Sequence, residues 1–516
     1  MEKERRGEWA RALAHLLPPA SPHGRAIHVL SRSSQKMLSF NHFYDESVPD
    51  HSCQRQPDPD PIFMHDPRRP LALPPLYPPA SSSPPAIINV VYLLHASYPP
   101  LKMPIGESYP AHSSRAALVP RTPQAHTMPD LPHSAAFPAI QLLSLNRDVL
   151  STISSFCDVP DALHLALTCK DAYDFTMPRI LSDVSIGDPG DDYGPDRLEK
   201  FCRFMLADPH SRMKHLRALR LLDGAFARPT SSAGRASWDA DFAPADILAQ
   251  LLIQATNLRI IQIRDAEPLF QSHPAVYEAL AQLPNLKELS LYYIGNSCLK
   301  AMSQLRSRPA IIENGLWKDG PRPQGDITPF GPYVNSLRHL KLWECGCMLE
   351  SIIDRHIWPN VHTLDIGGRI AKISELAHAF PNLQRLTFFL EFSVKQETGP
   401  AACWPELDYL ETSAPIPSFP SPARRLQIQY PIGARLSTQN DLKTLPLMEK
   451  TNPVVLSCTI SNSVTETMLE RMKSSMPSLR YLELIVNDGS GRPNMQWPAF
   501  QDWVVRVLVV CIFASI

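Results

Sequence analysis

The residue types best suited to bond-making or metal chemistry are scattered along this chain. There are ten cysteines, and only Cys345 and Cys347 stand close together. With His356 and His362 just downstream, they would offer thiolate and imidazole donors to a soft cation such as zinc. The C-x-C step is tighter than a knuckle pair and no second pair follows, so the spacing predicts buried thiols and no metal. Cysteines without a pairing rhythm fit a reducing compartment, cytoplasm or nucleus. No glycine-rich phosphate loop, G-x-S-x-G elbow or H-E-x-x-H helix occurs. The acidic run Gly187-Asp-Pro-Gly-Asp-Asp-Tyr-Gly194 lacks calcium-loop spacing and reads as a solvated link. These observations predict no catalytic group, no cofactor and no enzymatic activity in the chain itself.

What remains is recognition, and here the spacing is informative. The pattern L-x-x-L-x-L recurs at Leu216, Leu258, Leu286, Leu337, Val361, Leu383 and Leu407 as first positions, and again at Leu479. The steps are 42, 28, 51, 24, 22 and 24 residues before a degenerate stretch. An apolar residue and a proline precede several of these runs: Leu283-Pro284-Asn285, Trp358-Pro359-Asn360, Phe380-Pro381-Asn382, Trp404-Pro405-Glu406 and Met476-Pro477-Ser478. Proline after an apolar residue ends a helix and sets the chain up for a strand. Helices are predicted at 275–283 and 373–380. Repeats of this period are leucine-rich repeats, an α/β solenoid with a curved parallel sheet and convex helices. The asparagine that usually follows such strands is missing from most of these repeats, so an irregular coil without a buried asparagine ladder is expected. Residues 307–336, rich in glycine and proline, read as a long inserted loop. Residues 413–455 read as proline-broken, with one strand at Leu426–Ile428.

Alternation along a strand turns the leucines inward and leaves the third, fifth and seventh positions on the other face. The seventh positions put Arg264, Tyr292, Trp343 and Phe389 in one column. Aromatic and arginine side chains on an open surface are the types that anchor protein interfaces. This column is the predicted target-binding set.

Upstream of the repeats, Leu145, Val149, Ile153 and Phe156 recur at helical spacing, with Leu150 beside them. Pro160 and Asp161 mark a second helix start, carried on by Leu163, Leu165 and Leu167. Cys169 to Phe175 predicts a third short helix stopped at Met177-Pro178. A bundle of about forty residues buries a core poorly alone and leaves apolar surface for a partner or neighbour. The run resembles an F-box, with landmarks at Leu145, Val149, Leu150, Ile153, Pro160, Leu163, Leu167, Cys169 and Lys170. Asn146 stands where that family usually has proline, and Ala172 where it often has tryptophan. The resemblance implies that these landmarks bind a Skp-type adaptor of a cullin ubiquitin ligase while the repeats hold a target protein. A repeat scaffold without ligase association is the alternative.

Composition sets the frame. Basic and acidic residues number 50 and 51, a net charge of −1, so no global field draws nucleic acid or an anionic membrane, and no basic patch is visible as a run. Of 53 prolines, 24 fall in the first 138 residues, which predicts a disordered proline-rich region with one local element at 86–96. Met128, just ahead of the folded region, is a candidate start of translation. The apolar segment Trp503–Ile516 is fourteen residues long, short of the ~20 needed to span a bilayer. The resulting division is 1–137 proline-rich, 138–182 helical module, 183–212 linker and helix, 213–502 repeats, and 503–516 tail.

Overall fold

The computed structural model describes residues 145–187, 194–230, 237–316, 329–344, 346–370, 372–394, 403–416, 419–433, 438–461 and 464–487, together with the backbone of 87–91. The rest of the proline-rich region, Met128, Cys345 and the segment 503–516 lie outside them.

The repeated leucine runs become strands of one sheet. After β1 (Ile87–Val91) come β2 (Asp183–Ile186), β3 (Ala218–Leu221), the short pair β4 (Ala227–Thr230) and β5 (Ser237–Ala240), β6 (Ile260–Ile263), β7 (Glu288–Ile294) and β8 (Ile311–Leu316). They continue as β9 (His339–Trp343), β10 (Thr363–Ile370), β11 (Arg385–Val394), β12 (Leu407–Thr412), β13 (Ala423–Ile432), β14 (Val455–Ser461) and β15 (Tyr481–Asn487). Thirteen of them form one parallel sheet in the order β1-β15-β14-β13-β12-β11-β10-β9-β8-β7-β6-β3-β2, while β4 and β5 pair antiparallel. Apart from β1, strands follow one another across the sheet in chain order. Parallel neighbours need a crossover connection, and helices such as Pro274–Gln282, Asn296–Gln304 and Ile373–Ala379 supply it.

Leucines in equivalent places pack in register: Leu219, Ile261, Leu289, Ile312, Leu340, Leu364, Leu386, Leu410, Leu426 and Leu456 are all fully buried. Each contributes about 1.5–3 kcal/mol of burial. They share a single core with the helices, and that core extends into the helical module through Ala162, Leu163, Ala166, Met177 and Ile180.

The apolar-Pro-Asn steps have two physical roles. The apolar residue is an anchor: Trp358, Phe380 and Trp404 are buried, Trp358 stacks on Phe380 at 6.5 Å, and the Trp404 indole donates to the Phe380 carbonyl at 2.8 Å. The asparagine is a tie between turns. Asn285 Nδ2 donates to the Thr256 carbonyl at 2.8 Å, Asn360 to Asn335 at 2.9 Å, and Asn382 to Pro359 at 2.9 Å. The exposed amide ladder thus lies before the strands, not after them. A second tie is buried: Glu267 accepts from the backbone amides of Gly295, Ser297 and Cys298, each at 2.9 Å, and so caps the helix Asn296–Gln304 from a neighbouring helix.

Several expectations are corrected. The predicted long loop 307–336 contains β8, which is hydrogen-bonded to β7 on one side and β9 on the other. Its Ile311-Ile-Glu-Asn-Gly lacks the leucine spacing, but Ile312 still fills the inward place. The stretch 413–455 has its expected strand at Leu426–Ile428 as part of β13, and adds a helix, Thr438–Thr451, which runs through Pro446. Residues 183–186 of the supposed linker are a strand paired with β3. The local element expected at 86–96 is present as the strand β1, which joins the far edge of the sheet beside β15. The 42-residue step between Leu216 and Leu258 is an insertion that makes the β4–β5 pair and the helix Ala245–Gln254, while β3 pairs directly with β6.

Candidate functional site

The helical module consists of Arg147–Phe156, Val159–Ala166 and Lys170–Ile180. Asn146 caps the first helix by accepting from the Asp148 amide at 2.9 Å, and Asp158 caps the second by accepting from Asp161 at 2.8 Å, with Pro160 exposed in its first turn. The third helix is longer than its sequence suggests. It continues through Pro178 because Met177 and Ile180 are buried in the core that the module shares with the sheet.

The apolar stripe of the first helix does not face that core. Leu150 and Ser154 point inward, while Val149 is 46% exposed and Phe156 85%; on the second helix Leu167 is 46% exposed. Leu145 and Ile153 are half-buried, and Cys169 and Lys170 are exposed, with the Cys169 thiol accepting from the Ala172 amide at 3.4 Å. Leu150 and Leu163, at 7% and 4% exposure, are structural and present nothing to a partner. Ala172 is fully buried, so a tryptophan there would have no room. Phe156 is the surface residue that landmark matching passes over. Its signal is its place at the last turn of an amphipathic helix.

The second surface is the face of the sheet opposite the helices. Arg264 and Tyr292 extend from the ends of adjacent strands, Trp343 and Phe389 flank β10 on either side, and within each pair the side chains meet. The Arg264 guanidinium sits 3.9 Å over the Tyr292 ring, and Trp343 stacks on Phe389 at 4.2 Å with 21° between the planes. Two glycines make this approach feasible. A Cβ on Gly315, between Tyr292 and Trp343, would come 3.1 Å from the Tyr292 ring; one on Gly367, between Trp343 and Phe389, would come 3.3 Å from the Phe389 carbonyl. The consequence corrects the expectation of an open column. Tyr292 and Phe389 are only 9% and 7% exposed, although neither belongs to the helix-side core. Arg264 and Trp343 keep partial exposure.

Glu313, on β8, ties this row together. Its carboxylate pairs with Lys341 Nζ at 2.9 Å and accepts from Trp343 Nε1 at 3.2 Å. Burial alone would raise this carboxyl, but Lys341 and the hydrogen bonds from Tyr292, Lys341 and Trp343 overcome it and hold Glu313 down at about 2. Farther along the face, His339 meets Asp365 at 2.9 Å, and Tyr409 donates to Glu411 at 2.7 Å. Glu411 is pushed the other way, upward, by burial and by Asp365. Sequence reasoning missed Glu313 because its strand read as loop.

Among the described residues no group of three or more His, Cys, Asp or Glu is arranged to hold a metal ion. The buried thiols Cys202 and Cys298 are pushed up by desolvation, Cys202 to about 12, which leaves them unreactive. Among the described residues no helix is long and apolar enough to cross a membrane. No protein-family model matches the chain, and the curated proteins searched contain no match to it.

Proposed function

We propose that this chain is the substrate-recognition subunit of a cullin-based ubiquitin ligase, with the helical module docking a Skp-type adaptor and irregular leucine-rich repeats holding a target protein. The observation that carries the reading is the trio Val149, Phe156 and Leu167. These three large apolar side chains are exposed on a small helical bundle whose opposite side is already built into the core. Val149 and Phe156 stand seven residues apart on one helix, a spacing that puts them on one face, and exposed apolar surface of this kind marks an interaction site. The F-box landmarks add the chemical identity of that partner. The α/β architecture of sequential parallel strands with intervening helices, most strands from β3 to β12 carrying L-x-x-L-x-L or a relative of it, supports the repeat reading. In this assignment the chain makes and breaks no bonds. It raises the local concentration of the target beside the partner ligase, in the cytoplasm or nucleus.

The test is co-purification of a Skp-type adaptor with the full chain and with the variant Val149→Asp/Phe156→Asp/Leu167→Asp. All three positions are on the surface, so the variant should unfold at the same temperature as the parent. Capture by the parent and loss in the variant supports the assignment. No capture by the parent, or equal capture by both, overturns it and leaves a repeat scaffold without ligase association.

A further inference from the structure

Each strand of the sheet begins at a turn, and the residue just after the first leucine sits at that turn. Backbone hydrogen bonds order these second positions into a row. Arg217 accepts from Arg259, Arg259 from Lys287, Lys287 from Ala310, and Ala310 from Arg338. Four of the five are cationic and all four are exposed. None of these four makes an ion pair with a carboxylate among the described residues. Lys214, Arg306 and Arg308 flank the row on the same turns and are exposed as well. The turn segments 213–217, 255–259, 283–287, 305–310 and 334–338 contain these seven Lys and Arg residues and no Asp or Glu. In a chain whose charges balance overall, this edge is strongly polarised. His215 registers it, since burial first, then Lys214 and Arg217, lower its pKa.

We infer that this turn edge, from Arg217 to Arg338, is a docking strip for an acidic, extended segment of a protein partner. The inference rests on reading the chain as a holder of a protein target and gives that target a charge. At ~4.8 Å per strand the row spans roughly 19 Å, the length of about six extended residues. Arg217, Arg259 and Lys287 stand at the starts of successive strands, and their long side chains would reach carboxylates along such a segment. The five turns carry no Trp, Tyr or Phe on which bases could stack, which argues against single-stranded nucleic acid. The same five turns present no large exposed apolar side chain to wedge into a lipid surface.

The probe is fluorescein-labelled decaglutamate, titrated with the full chain by fluorescence anisotropy at low salt, with labelled decalysine and oligothymidylate alongside. Decaglutamate should bind in preference to both, and the affinity should fall steeply as ionic strength rises through about 0.15 M, where screening acts within ~8 Å. The variant Arg217→Glu/Arg259→Glu/Lys287→Glu/Arg338→Glu should bind at least about tenfold more weakly. The control Lys200→Glu/Lys443→Glu/Lys450→Glu/Arg471→Glu changes net charge equally and should bind like the parent. If the reversal at the edge unfolds the chain, the neutral replacement of the same four by glutamine is used, with the same direction expected. Absence of decaglutamate binding, equal loss in edge and control variants, or tighter oligothymidylate binding overturns the inference. Decaglutamate binding by a chain that captures no adaptor would sustain this edge while ending the ligase assignment. Adaptor capture without decaglutamate binding would do the reverse.

Discussion

At the helical end of the molecule Phe156 lies 85% exposed on the last turn of its helix, while on the open face of the sheet Phe389 lies under the Trp343 ring with 7% exposed. Both phenylalanines sit on faces turned away from the main core. They differ in their neighbours. Phe156 ends a helix of ten residues and, among the described residues, stays uncovered. A strand has another strand about 4.8 Å away on each side, and glycines at the intervening places let aromatic rings lean together. An aromatic side chain that is available to a partner and one that is spent on stability can therefore share the same type and the same outward orientation.

This contrast has measurable consequences. Phe389→Ala should cost the most, about 3 kcal/mol, because it empties a buried ring site and strands Trp343. A lowered urea midpoint checks it, and an unchanged midpoint would break the comparison. Glu313→Gln should cost about 2 kcal/mol at neutral pH by leaving the half-buried Lys341 without its counter-charge. The carboxyl of Glu313 lies at about 2 in the fold against an ordinary 4.5, so its stabilisation is present above 4.5 and disappears as pH falls towards 2. The stability difference between the parent and E313Q should therefore shrink over that window, read as converging thermal midpoints. A constant difference would remove Glu313 from the centre of the row. Asn285→Ala, which cuts one tie between turns, should cost about 1 kcal/mol, seen as a smaller midpoint shift. Phe156→Ser should move stability by no more than about 0.5 kcal/mol. A large loss there would mean that Phe156 is structural after all.

Much of the architecture can be read directly from local residues. The helices Pro274–Gln282 and Ile373–Ala379 fall within a residue or two of their sequence signals, because a proline stop and helical apolar spacing act locally. The inward leucines of β6, β7, β9, β10 and β11 are legible for the same reason. The strand β8 is not, since Pro309 and the isoleucine pair replace the leucine pattern and only pairing on both sides makes 311–316 a strand. The helix through Pro178 likewise depends on burial of Met177 and Ile180, a tertiary effect that overrides the local stop signal.

Where the leucine and helical patterns are intact, the sequence by itself determined which residues point into the core and which point away, since that follows from a period of two along a strand and 3.6 along a helix. It did not determine which outward residues stay available. Tyr292 and Phe389 are covered by residues 28 and 46 positions away in the chain, and the seven cations of the turn edge come from five separate segments. Register between strands brings such groups together. Because the connections between these strands vary in length, only the folded sheet sets that register.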